Sequence, residues 1–341
     1  MRTVFISTLL AAQLAAGQIP ALPPPTLPPL PSTEPTFETW LVDLRAEAAS
    51  RGISGEVIER ALNGIEPVSQ ILERDRTQAE FILDLDDYLK RRLTPSFVRT
   101  ARTMSARHRA LVTKVSAKYG VAPRFLISLW GLESNFGRFP GIRPTVPTLA
   151  TLAYDSRRGP LFRNELLHAL EIVDRGDIPL EQLKGSWAGA LGQPQFMPSS
   201  YLLYAQDFDG DGRRDIWTSR ADVFASMAYY LQQHGWTAGE NWGREVKLTP
   251  AAREAVDALP RRAEGCRALR VMTEPQPLSE WRRLGVRTAA NRPIPTGEMK
   301  ASFVVAGSRT FLVYRNYEAL LGYNCAHSYA LSVALLADRL T

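Results

Sequence analysis

The run PRFLISLWGL, Pro123 to Leu132, constrains this chain more than any other stretch, because it closes on a carboxylate, Glu133, followed by Ser134 and Asn135. Proline suits the first turn of a helix, and the apolar residues behind it extend that helix. An α-helix turns about 100° per residue, so with Arg124 at zero, Ser128 and Gly131 fall within about 40° of it and form the polar or small stripe. Glu133 falls at about 180°, with Leu126, Leu129, Trp130, Phe125 and Leu132 as its angular neighbours. Either the helix stops just short of Glu133, or it carries a carboxyl into an apolar layer. Burial disfavours the charged form and lifts a carboxylic acid from about 4.3 toward the 6 to 7 at which a proton donor works near neutral pH. The bland alternatives are a buried glutamate satisfied by arginine or backbone amides, and a frayed, exposed helix end.

A second acid ordinarily accompanies the first in glycoside hydrolysis. Around Glu133 the sequence offers none: Ser134, Asn135, Gly137 and Arg138 flank it, and Asp155 is a distant candidate. A single-acid mechanism then needs a nucleophile supplied by the substrate.

The length of 341 residues, 45% of them hydrophobic, allows one large domain or two smaller ones. Arg2, an apolar Val4–Leu14 and the small residues Ala15, Ala16 and Gly17 have the form of a secretory signal over residues 1–17, too short to span a bilayer. No cysteine lies near the cleavage region to take a lipid, and no other apolar run is long enough for a membrane helix. Residues 18–35 hold eight prolines and form an extended linker, so folding is expected to begin at residue 36. Lys and Arg number 41 against 35 Asp and Glu, and removing Arg2 with the leader leaves an excess of about +5. That excess suits an anionic polymer, or simply a solvated surface. Export and the lack of aromatics interleaved with the arginines of 90–109 argue against a nucleic-acid platform. In an exported chain Cys266 and Cys325 could pair or stay free.

Helical spacing predicts helices over 37–52, 73–92, 95–119, from Pro123 through the Glu133 run, and over 162–174, 199–206, 221–234 and 328–340. Between 242 and 317 the short β-branched and aromatic segments REVKL, ASFVVAG and TFLVYRN predict a small β-containing insertion. His108, His168, His234 and His327 form no metal-ligand spacing, and no nucleophile elbow, P-loop or dinucleotide fingerprint is present.

The stretch SWAGALGQPQFMPSSYLLYAQDFDGDGRRDIW, Ser186 to Trp217, taken with GLESNFG and the C-terminal FLVYRNYEALLGYNCAHSYALSVALLADRL, closely resembles the lytic murein transglycosylase B family. The resemblance runs from about Phe37 to the end. It implies a mainly α fold: a lysozyme-like α+β catalytic core over 36–341, with a helical N-terminal region and the β-containing insertion at about 242–317. It also implies a periplasmic enzyme that cuts the glycan strands of peptidoglycan, with Glu133 as sole acid and then base and no catalytic cofactor. Other cell-wall enzymes are the partners such a protein could have; neither nucleic acid nor a membrane span is implied. Carried over residue by residue, Ser186 and Gln195 become polar groups of the cleft. Phe162, Tyr230, Tyr323 and Tyr329 become its aromatic walls, and Asn324 its C-terminal asparagine. Ala326 and Ser328 depart from the family pattern, as does Cys325 beside Asn324. A water-admitting muramidase and a non-catalytic, calcium-stabilised wall-binding protein are the competing readings.

The segment DFDGDGRRD, Asp207 to Asp215, follows the EF-hand spacing, with Asp207, Asp209, Asp211 and Asp215 as carboxylates and Arg213 offering its carbonyl. Thr218 stands where a bidentate glutamate is expected, and the resemblance supplies Asp222 instead to complete a structural calcium shell.

Overall fold

A computed structural model describes residues 35–78, 84–155 and 157–340, which places the leader and nearly all of the proline-rich stretch outside the described residues. From Phe37 on, the chain forms one body. It opens with seven helices: α1 (Phe37–Ser50), α2 (Gly55–Leu62), α3 (Ser69–Gln78), α4 (Leu85–Arg92), α5 (Pro95–Arg107), α6 (Arg109–Tyr119) and α7 (Pro123–Ser134). A two-residue ladder then brackets a helical pair in the order β1 (Arg143–Pro144), α8 (Thr145–Tyr154), α9 (Gly159–Asp174), β2 (Lys184–Gly185). After α10 (Pro198–Tyr204) and α11 (Arg220–Gln233) comes the strand-rich part. It comprises β3 (Gly243–Lys247), α12 (Pro250–Asp257), α13 (Arg267–Arg270), β4 (Gln276–Pro277), α14 (Leu278–Arg283), β5 (Arg287–Thr288), β6 (Lys300–Ala306) and β7 (Arg309–Val313). Two helices, α15 (Arg315–Tyr323) and α16 (His327–Asp338), end the chain.

The fold is mainly helical, with one small antiparallel sheet in the order β4-β6-β7-β3-β5. Three apolar clusters hold it. One gathers α7, α11 and α16 around Trp130, Phe224 and Leu331; the second packs α1, α2, α8, α9 and α10; the third lies under the sheet around Trp281 and Phe303. The helix α7 is the centre of the first. Its residues Phe125 to Leu132 are all buried, including the polar-stripe members Ser128 and Gly131, so the helix is enclosed on every side.

Several sequence expectations change. The single helix over 73–92 is two, α3 and α4, with residues 79–83 outside the described set. The helix over 95–119 breaks at His108 (φ −101°, ψ 10°), whose ring is drawn edge-on against Trp130 at 5.2 Å. Helix α8 was not foreseen. TVPTLATLAY is buried at eight of its ten positions, so it carries no amphipathic stripe, and Pro147 is tolerated because it stays within the first turn. The strands end at Val313, so Arg315 to Tyr317 are helical.

Cys266 and Cys325 form a disulfide, with Cα atoms 6.3 Å apart and a sequence separation of 59. It ties the start of α13 to the turn between α15 and α16. Closing a loop of that length stabilises by about 4 kcal/mol in the chain-entropy account. Reduction, or Cys266→Ala with Cys325→Ala, is expected to lower the melting temperature by about 5–10 °C, measured by calorimetry; an unchanged melting temperature contradicts that role.

Candidate active site

Glu133 sits in the last turn of α7, and the residues after it explain how its carboxyl is held. Asn135 (φ 50°) and Phe136 (φ 60°) both take left-handed backbone, followed by Gly137 at φ 78°. Asn135 N–H closes on Gly131 O, and Phe136 N–H reaches back to Trp130 O. Ser134 is fully buried; its Oγ donates to Trp130 O and accepts from Gly137 N–H, each at 3.1 Å. The Phe136 ring folds onto Gly131, where a Cβ would come within 2.6 Å of it. Gln193, 1% exposed, completes the brace: Oε1 accepts from Trp130 Nε1 at 2.7 Å, and Nε2 donates to Trp217 O at 2.5 Å. The sequence SNFG is thus a turn that stops the helix one residue past the acid and leaves it partly buried at the edge of a cleft.

The carboxyl is pushed up to about 7, first by burial. A hydrogen bond from the Tyr329 hydroxyl to Oε1 and the Arg92 cation pull the other way. Tyr329, on α16, is buried and stacks on Tyr323 at the end of α15 with ring centroids 6.5 Å apart. Tyr323 donates to Pro194 O at 2.7 Å. Burial, followed by the Glu133 charge, holds both phenols well above their usual range. Tyr230 backs Tyr323 at 4.8 Å, stacks on His234 and donates to Gly322 O at 2.7 Å. Three of the expected aromatics therefore form one connected layer, of which Tyr329 touches the acid.

The remaining assignments scatter. Phe162 is 2% exposed inside the second apolar cluster, with the Arg158 guanidinium over its ring, so it is a core residue and not an open wall. Ser186 uses its Oγ to accept from Ala188 N–H and Ala190 N–H, capping the turn after β2. Gln195 is left-handed at φ 55°, its amide donating to Gly192 O and Pro140 O. Asn324 is exposed just beyond α15. Asp155, the candidate second acid, is engaged by Arg157.

Glu133 opens into a cleft of ≈ 310 Å³ lined among others by Arg91, Arg92, Thr94, Asn135 and Phe139, and it is the only acid among the described residues of that lining. A larger cavity of ≈ 530 Å³ lies under His234 and Arg262. Chemistry, not volume, selects the smaller. Three residues here carry no distinctive signal in the sequence. Arg92 sits in the run KRR and reads as a solvated face. Tyr88, whose charge would act on Tyr329, sits in the same polar helix α4. Phe139 is 67% exposed, a ring that no core pattern explains.

In the Asp-rich loop, one carboxylate oxygen from each of Asp207, Asp209 and Asp211 converges within 4.8 Å. Opposed oxygens of a calcium shell stand about 5 Å apart, so the three fit one side of such a shell. The other two expected carboxylates lie outside that cluster. Asp215 accepts from Trp217 N–H and Thr218 N–H. Asp222, fully buried and raised to about 6 by burial, accepts from Phe208 N–H and Asp215 N–H, clamping the two ends of the loop. Asp222 therefore braces the loop rather than joining the cluster.

Residues 36–338 match the family model described as "Transglycosylase SLT domain". Membrane-bound lytic murein transglycosylase B of Escherichia coli (strain K12) is 38% identical over 155 residues, 45% of this chain and 42% of that relative, so the match spans less than half the length of the relative. The solved structure of SltB3 from Pseudomonas aeruginosa in complex with NAG-anhNAM-pentapeptide has a TM-score of 0.81 and 39% identity, covering 89% of this chain and 79% of that one. The Escherichia coli lytic transglycosylase Slt35, solved in complex with calcium, has a TM-score of 0.71 at 23% identity, with 90% and 93% covered, a likeness of fold alone.

The Glu133 shift carries a stability consequence. A carboxyl raised from 4.5 to about 7 in the fold contributes stability that is complete below 4.5 and is lost as pH rises through 7. Relative to Glu133→Gln, the wild type is expected to weaken by about 1–3 kcal/mol between pH 4.5 and 7 and no further above it, read from denaturant unfolding at several pH values. A pH-independent difference contradicts the buried acid.

Proposed function

The chain belongs to the SLT transglycosylase family, and from that premise we propose that it cleaves the β-1,4 bond between N-acetylmuramic acid and N-acetylglucosamine in peptidoglycan, without water. The observation that carries this reading is the lone acid: Glu133 stands in its cleft with a carboxyl near 7 and no other carboxylate among the described residues of the lining. Protonated Glu133 donates to the glycosidic oxygen as the bond to C1 of the muramoyl residue breaks. The oxocarbenium-like centre is then attacked by that sugar's own C6 hydroxyl, whose proton returns to the Glu133 carboxylate. The products are a free 4-hydroxyl on glucosamine and a 1,6-anhydro muramoyl end, with the enzyme restored. A well-placed internal nucleophile has an effective molarity of about 10⁵–10⁸ M, which is what lets one carboxyl do the work of two. The SltB3 complex, whose ligand includes an anhydro muramoyl unit, supports this product class.

Tyr329 and Tyr323 hold the acid side of the cleft, and Phe139 offers an open ring on its lining for a sugar face. Ser186, Gln195 and Asn324 are assigned to sugar contacts by likeness of motif, and Tyr230 and Phe162 to support behind the wall. Asp207, Asp209 and Asp211, with the Arg213 carbonyl, would hold a calcium ion, which fixes the loop and takes no part in the chemistry. The signal-like pattern read over 1–17 supports assigning the reaction to the periplasm. No single helix among the described residues is long and apolar enough to cross a membrane.

Digestion of purified sacculi is expected to give muropeptides one water lighter than hydrolytic products by mass spectrometry, with Glu133→Gln slower by at least about 10²-fold. Muropeptides of hydrolytic mass would identify a muramidase, and unchanged cleavage by Glu133→Gln would remove Glu133 from the reaction. Millimolar calcium is expected to raise the melting temperature of the wild type and not of Asp209→Asn, by about 2–3 kcal/mol of stability at a hundredfold excess over Kd. Equal responses of the two proteins would count against the loop as the site.

A further inference from the structure

The last turn of a helix leaves carbonyls without intrahelical partners. In α7 the carbonyl of Leu132, one residue before the acid, is such a group. The regular donor four residues on is Phe136 N–H, and that amide is committed to Trp130 O. Arg92, the last residue of α4, takes its place: Nη2 donates to Leu132 O at 2.5 Å. A cation at a helix C-terminus also meets the negative end of the helix dipole. The same guanidinium lines the cleft into which Glu133 opens.

The other groups around Glu133 do not duplicate it. From α16 and α15 come the neutral phenols Tyr329 and Tyr323; from α4 come Tyr88, which acts on Tyr329, and Arg91, on the cleft wall. Helix α5 contributes the ring of Phe97, and Arg138 in the turn after α7 is exposed. Arg92 is the cation whose field acts on the Glu133 carboxyl. Its side chain is exposed, so water screens it until a polymer fills the cleft and lowers the local dielectric.

We propose that Arg92 is a positioning residue for the acid: it fixes the terminal turn of α7 through the Leu132 carbonyl and holds a positive charge beside the carboxylate that Glu133 becomes once its proton has gone to the leaving sugar. The proposal rests on the assignment of Glu133 as the acid. Loss of the cation makes Glu133 a weaker acid, slower to donate, whereas loss of the cap alone loosens the turn.

The test compares Arg92→Met, Arg92→Lys and Arg92→Gln in the full chain, each with and without Glu133→Gln. The glutamine variant keeps a donor for the carbonyl but drops the charge. Two readouts are followed against pH: the rate of anhydro-muropeptide release from sacculi, and the stability difference between each variant and its Glu133→Gln partner. Arg92→Met and Arg92→Gln are expected to move the alkaline limb of the rate profile, and the midpoint of the stability difference, to higher pH. The plateau rate should fall about tenfold, in keeping with the sensitivity of proton transfer to donor strength and placement. Arg92→Lys is expected to bring limb and midpoint back toward the wild type. Limb and midpoint unmoved in Arg92→Gln overturn the proposal, even if its plateau rate falls. If no variant or wild type cuts glycan, the proposed function fails, yet the stability midpoint still decides whether Arg92 acts on Glu133. If Arg92→Met does not fold, Arg92→Gln and Arg92→Lys carry the comparison.

Discussion

Desolvation of one carboxyl organises this molecule. A glutamate in water, near 4.5, would keep only about 0.3% of its molecules protonated at pH 7, whereas one near 7 keeps about half. That difference of more than a hundredfold in available acid comes from packing: α7 enclosed by α11 and α16, and Tyr329 laid over the oxygen. The opposing influences, the Tyr329 hydroxyl and the Arg92 cation, keep the proton transferable. An acid held too firmly neutral would be a poor donor, and one fully stabilised as an anion would have nothing to donate.

The turn after α7 shows how such a placement is maintained. Two non-glycine residues in succession adopt left-handed backbone, a conformation that costs of order 1 kcal/mol at each. The compensation is visible in Ser134 binding both Trp130 and Gly137, in the Phe136 ring filling the face of Gly131, and in Gln193 locking Trp130 to Trp217. Asp222 does the equivalent for the Asp-rich loop, joining Phe208 to Asp215 from beneath. In both places a buried polar side chain fully engaged by backbone fixes the shape of a segment that apolar packing alone would leave free.

Much of this was legible because it rests on periodicity. The rotation of Glu133 into an apolar layer follows from counting along α7, and the switch to β-branched segments located β3, β6 and β7 but not the two-residue strands. What escaped depends on contacts between residues far apart in sequence. Arg92 in KRR looks like any solvated cation until α4 is seen to end against Leu132. Helix α8 escaped for the opposite reason: buried all round, it has no polar stripe to reveal its period. Phe162 was carried to the cleft by motif, and packing returned it to the core. The EF-hand spacing named four carboxylates and the resemblance a fifth, Asp222, but only those of Asp207, Asp209 and Asp211 converge among the described residues. Pairing of Cys266 with Cys325 needed a distance that no spacing supplies.

The central claim is that its surroundings keep about half of a single carboxyl protonated near pH 7. Carbon-13 NMR of protein labelled at glutamate side-chain carboxyls, with the Glu133 signal assigned by its absence in Glu133→Gln, measures this directly. The account predicts a titration midpoint near 7 for that signal. A midpoint near 4.5, with the exposed glutamates, would contradict it.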